Sequence, residues 1–214
     1  LSLEKASRYL ERATLKKEID VRASNMSTLS HTMRVLLSEL DTRTILQLST
    51  DVIREITTCQ ITCIGLYDEI EEKIVIRKFE DVLNPREFYD AFTLKQKNLV
   101  NSKQTIFSVE TEYHLLAEIF NEPEKFHLLD AMYVVLLYKN NIKGFVTISK
   151  SMMEQPYDAN ILERIQDVAS ILYIGLNNAR QYETIAEQKE MLKEHLNVLQ
   201  RMNKIIKNVN SAEN

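Results

Sequence analysis

No glycine or proline occurs before Gly65. Gly and Pro are the strongest local interrupters of a helix, so the whole stretch ahead of Gly65 is free to run as helix over much of its length. Within it, Ile19, Arg22, Met26, Leu29, Met33, Leu36 and Leu40 step alternately by three and four residues, with Arg22 the one charged member. That average step is the heptad period, which keeps one seam of a helix turned toward a partner as the two supercoil. Leu3, Ala6, Leu10 and Ala13 hold the same step upstream in a shifted register. A single amphipathic helix packed on its own domain would share part of this pattern. The seam is longer than one small domain can cover, so pairing of two chains is expected through Ile19, Met26, Leu29, Met33, Leu36 and Leu40.

Bulk properties narrow the classes. The chain has 214 residues, 44% hydrophobic and 27% charged, which supports a packed core rather than disorder. A net charge of −4 argues against a nucleic-acid module, which would offer a basic face to phosphate. No apolar run reaches the ~18 residues that span a bilayer. The two cysteines, Cys59 and Cys63, are too few for a disulfide scaffold. On one strand their Cα atoms would stand ~13 Å apart, beyond bridging distance. A cytoplasmic setting is expected. The chain starts at Leu1 with no signal-peptide pattern, and is read as a fragment of a longer protein.

The remaining pattern is mixed. Asp41 and Thr42 predict an N-cap, followed by a helix over 42–57 whose apolar face is Ile45, Leu48, Val52 and Ile56. Strands are predicted over 60–68, 73–79 and 105–109, with a hairpin of 132–138 and 142–150 turning at Lys139-Asn140-Asn141. The first strand is apolar on both faces, which implies cover on both sides. The stretch 80–130 is irregular, with Pro85 and Pro123, a short helix around Phe88 to Phe92 and another from Tyr113 to Phe120. Long inserts of this kind cover a sheet or carry a site.

From Asp158 the pattern returns to helix, with Ile161, Ile165, Val168, Leu172, Leu176 and Ala179 on one stripe and Gly175 marking a close contact. Beyond it Ile185, Leu192, Leu199 and Ile206 recur every seven residues, with polar Gln188 and His195 at intervening seam positions. These four apolar residues join the expected dimer interface. The chain also echoes itself: Met33 to Thr42 and Met202 to Ser211 share Met, two aliphatics, a third aliphatic, then Asp or Asn and Thr or Ser. The first copy leads into a domain, so a further domain is expected after the second.

Tyr133-Val134-Val135-Leu136-Leu137-Tyr138, then Ile142-Lys143-Gly144-Phe145-Val146-Thr147-Ile148, then a closing helix ending Asn177-Asn178-Ala179-Arg180-Gln181-Tyr182, together resemble a GAF domain over roughly 41–182. The resemblance implies an α+β, three-layer fold: an antiparallel sheet of five or six strands, with flanking signalling helices at 1–40 and 183–214. It implies a non-catalytic sensory or regulatory module that pairs and relays a signal to an output domain in the same protein. The resemblance also implies one of two uses: a small ligand held between sheet and cap, or a pure pairing scaffold. Its pocket would be walled by Cys63, Tyr67, Phe79 and Thr147, with Phe88, Tyr89 and Phe92 as lid. The signature of cyclic-nucleotide-binding members is missing, and neither Cys nor His is placed for a tetrapyrrole, so no cofactor is assigned.

No catalytic constellation emerges from the residues. Ser30-His31-Thr32-Met33-Arg34 is similar to a phosphoacceptor helix, but Thr32 stands where an acidic residue is usual and no Pro follows. His114, Glu118, His127 and Asp130 include one i, i+4 pair, which serves surface ion pairs as readily as metals. No metal site is expected.

Overall fold

The computed structural model describes residues 34–95, 104–153 and 156–212. The seam residues Ile19, Arg22, Met26, Leu29 and Met33, and His31, lie outside them.

Asp41 starts the first long helix, α1 (Thr42–Thr57), because its carboxylate accepts from the Thr44 N–H at 2.7 Å and the Thr44 hydroxyl at 2.6 Å. The helix closes at Thr58, whose left-handed backbone returns its N–H to the Arg54 carbonyl. The chain then enters β1 (Ile61–Asp68) and returns along β2 (Lys73–Asp81), with β3 (Ala91–Thr93) on the outer edge of β2. After β4 (Ile106–Ser108) come two short helices, α2 (Tyr113–Ile119) and α3 (Lys125–Leu128). The hairpin of β5 (Tyr133–Lys139) and β6 (Asn141–Ile148) turns on Asn140 at φ 65°. One long helix, α4 (Ala159–Ala212), ends the described chain.

The six strands pair in the order β3-β2-β1-β6-β5-β4, and every pairing is antiparallel. The sheet is therefore covered on both faces, as β1 required. Ile64, Leu66, Val146 and Ile148 face α1 and α4, joining Ile45, Ile53, Ile165, Val168 and Leu172 in one apolar core. Cys63, Tyr67, Ile74, Phe92, Val134, Leu136 and Phe145 face the segment between β2 and β5, joining Leu116, Phe120 and Phe126 in a second.

One predicted element is corrected. The chain around Phe88 to Phe92 is not helical: Ala91–Thr93 forms the edge strand β3, in register with Lys73, Ile74 and Val75. An open β2 edge satisfies backbone groups that a single helical turn would leave unpaired.

Two glycines sit where the layers pinch. A Cβ on Gly144, whose φ is +156°, would run into the Gly65 carbonyl in the middle of the sheet. A Cβ on Gly175 would stand 2.9 Å from the Leu36 carbonyl, so α4 and the helical residues 34–38 touch closely there. Leu36 itself is 1% exposed and belongs to the core beneath α1 and α4. That position of the expected intermolecular seam is thus taken up inside the chain, while Leu40 remains partly open.

Candidate functional sites

Of the pocket residues implied by resemblance, Cys63, Tyr67, Phe92 and Thr147 are buried together on the cap side of the sheet. Cys63 and Thr147 are direct cross-strand partners. Phe79 and Phe88 pack on each other at a centroid distance of 5.4 Å near the edge, under the Arg86 guanidinium. Tyr89 is a correction: it is 80% exposed and donates to Glu87 at 2.9 Å, so it closes nothing. Phe92 turns inward within β3, while Tyr89, in the irregular segment ahead of that strand, faces outward.

Three rings not assigned to the site from sequence occupy its centre. Phe120, Phe126 and Phe145 surround Phe92, with centroids 4.7 Å (Phe92–Phe126), 4.9 Å (Phe92–Phe145) and 5.0 Å (Phe120–Phe126) apart. All four are fully buried. Offset and edge-on contacts of this kind add about 1 kcal/mol per pair beyond burial. The cap is pinned at its rim: Lys125 donates to Asp90 at 2.8 Å and to the Ala91 carbonyl at 2.7 Å, while Glu122 accepts from the Thr93 N–H and hydroxyl. Phe120 and Phe126 come from the irregular stretch, where no periodicity says which side chains turn inward; a pair of aromatics flanking Pro123 was the available signal.

The polar atoms in this aromatic core are few. Burial pushes the Cys63 thiol well above the ordinary cysteine range, with the Thr147 hydroxyl beside it opposing weakly. The Thr147 hydroxyl makes no well-formed hydrogen bond of its own. Burial also pushes the Cys59 thiol up; its sulfur lies 2.9 Å from the Thr62 hydroxyl. A thiolate is the reactive form, so neither cysteine is expected to react with a thiol reagent at pH 8 until the chain unfolds. Rapid native-state labelling of either would contradict this placement.

His127 stacks on Tyr113 at 5.4 Å, and Asp130 occupies a left-handed turn. Among the described residues no three His, Cys, Asp or Glu side chains converge to hold a metal.

The other candidate surface is on α4. Past Ala179 the helix leaves the sheet, and Ile185, Met191, Leu192, Leu196, Val198, Leu199 and Met202 are 51–62% exposed. Ile206 is described in its backbone alone. No helix among the described residues is long and apolar enough to cross a membrane.

No protein-family model matches the sequence, and no curated protein does. Solved structures do match in three dimensions. The GAF domain of an Acinetobacter phosphoenolpyruvate-protein phosphotransferase aligns over 74% of this chain and 95% of its own, at TM-score 0.54 and 14% identity. A bacteriophytochrome from R. palustris aligns over 79% of this chain and 41% of its own, at TM-score 0.56 and 9% identity. A methyl-accepting chemotaxis protein aligns over 71% of this chain and 98% of the solved segment, at TM-score 0.51 and 10% identity. The helix pair on one face, the antiparallel order with β1 and β6 at the centre, and the insert folded over the other face make the fold of this chain that of a GAF domain.

Proposed function

We propose that this chain is a non-catalytic regulatory module of a signalling protein. Two copies pair along α4 beyond Tyr182, and the paired helices carry a change in the domain to an output domain that follows in the same protein. The observation that carries this reading is the apolar stripe on the free part of α4. Isolated soluble proteins rarely leave so long a stripe in water. Its seven-residue spacing fits self-pairing, and polar Gln188 and His195 within the seam would fix register at some cost in stability. The similar folds come from a phosphotransferase, a bacteriophytochrome and a chemotaxis protein, which supports a regulatory use.

Sedimentation tests it. The chain is expected to be a dimer at micromolar concentration, and Leu192→Glu with Leu199→Glu is expected to yield a folded monomer. Two carboxylates from each copy in an apolar seam would weaken pairing by at least ~100-fold, because none has a partner of opposite sign there. A parent chain that sediments as a monomer would remove the physical basis of the relay.

A second reading rests on Thr147. A buried hydroxyl without a good partner, beside the Cys63 thiol, is a polar handle for a small ligand between sheet and cap. Entry would require displacement of Phe92 or Phe126. A ligand that binds only the folded chain stabilises it by ~2.7 kcal/mol at a hundredfold excess over its dissociation constant. A metabolite and nucleotide panel that leaves the melting temperature unmoved would favour pairing without a ligand.

A further inference from the structure

A small crevice lies away from the aromatic core, at the end of the sheet where α4 departs. Its volume is ≈ 70 Å³, space for several waters or one compact anion. Lys143 of β6 and Glu69 of the β1–β2 turn line it from the sheet, with Tyr67 of β1, and Tyr173, Asn177 and Arg180 line it from α4. Tyr173, Asn177 and Arg180 are spaced by four and three residues, which sets them on one face of α4. Leu176, on the same face, is buried and closes the floor.

The polar groups of this crevice are under-used. The side chains of Tyr173, Asn177 and Arg180 make no hydrogen bond among the described residues. Lys143 has one long contact, 3.4 Å to Glu69, and that carboxylate is 73% exposed, so it can turn away without burying an unpaired charge. Two cationic side chains thus line the crevice with one loosely held carboxylate. The donors approach from two sides, a guanidinium fork on the helix and an ammonium on the strand. That arrangement suits the several acceptor oxygens of a tetrahedral anion better than the single plane of a carboxylate.

We propose that this crevice binds a phosphate-type oxyanion, free or as the end group of a small metabolite, held between Lys143 and Arg180. The bound anion bridges the sheet to α4 at the last turn before the helix leaves the domain. The site shares only Tyr67 with the sheet–cap core and does not depend on pairing of two chains.

Calorimetric titration of the full chain with inorganic phosphate at constant ionic strength tests this. Saturable binding is expected, weakened at least ~10-fold by Arg180→Gln and by Lys143→Gln, since each removes a charge-assisted bond. Glu69→Gln removes the competing carboxylate and is expected to tighten binding. Circular dichroism checks that each variant is folded, and Arg180 and Glu69 are exposed enough to be replaced without disturbing the core. The Leu192→Glu, Leu199→Glu chain should bind phosphate as the parent does, which separates failure here from failure of the relay. Glycerol phosphate binding more tightly than inorganic phosphate would assign the esterified group, and the reverse the free anion. The proposal is overturned by no saturable binding in the tens of millimolar, by Arg180→Gln binding unchanged, or by acetate binding in preference to phosphate.

Discussion

Gly144→Ala is expected to lower the stability of the folded chain by about 4 kcal/mol, the upper end for a single substitution. Two costs add. The backbone at φ +156° is one that L side chains rarely adopt, worth about 1–3 kcal/mol on its own. The new methyl would also meet the Gly65 carbonyl, a backbone atom of the neighbouring central strand, in the register where Gly144 pairs with Leu66. A backbone atom in the middle of a sheet cannot step aside without breaking the ladder on both of its edges. Gly65→Ala is a useful contrast. Its methyl would meet side-chain atoms, Ile74 Cγ2 at 2.8 Å and Phe145 Cζ at 2.9 Å, which can shift, so overpacking of about 2 kcal/mol is expected. Urea unfolding at unchanged m-value measures both. Gly144→Ala within 1 kcal/mol of the parent would mean that β1 and β6 do not approach as described (~1 kcal/mol being the ordinary effect of a substitution).

Leu36→Asp should be comparably damaging, and the way it fails is informative. Leu36 is 1% exposed, against α4 near Gly175 in an apolar cluster, so a carboxylate there would be desolvated among apolar side chains. An uncompensated buried charge costs about 3–5 kcal/mol. The domain itself should therefore unfold at lower urea. Leu199→Asp, on the exposed part of α4, should leave the unfolding of the sheet unchanged and act on association alone. A Leu36→Asp chain that is as stable as its parent but monomeric would return Leu36 to the seam between chains.

Those two leucines also mark how far the sequence could be read. Both stand on a seven-residue repeat of apolar positions, and the repeat alone does not say whether the surface it makes is covered by the same chain or by another. Leu36 is covered by the chain's own α4, and Leu199 stands clear of the sheet. The layers and the hairpin were legible because β1 is apolar on both faces and because Asp41 and Asn140 each have a local conformational reason to be where they are. The site was less legible. Cys63, Tyr67 and Thr147 alternate along strands, so their common face follows from the pleat. Tyr89 and Phe92 lie three apart in a segment without periodicity, and only the pairing of β3 with β2 decides that one points out and the other in. The charged crevice could not be read at all, because Lys143 and Arg180 come together only through the packing of α4 on the end of the sheet.

The strand order has a consequence for how the chain reaches this state. The two central strands are the first and the last to be synthesised: the Ile61 N–H bonds the Ser149 hydroxyl from 88 residues away. The hairpin of β1 and β2 can form as soon as it emerges from a ribosome, yet β1 then offers an open edge until β6 arrives. Contacts at such separation are slow to close, which places folding toward the millisecond-to-second range. During synthesis that unpaired edge, lined with Ile64 and Leu66, is where a passing chain could add a strand in place of β6.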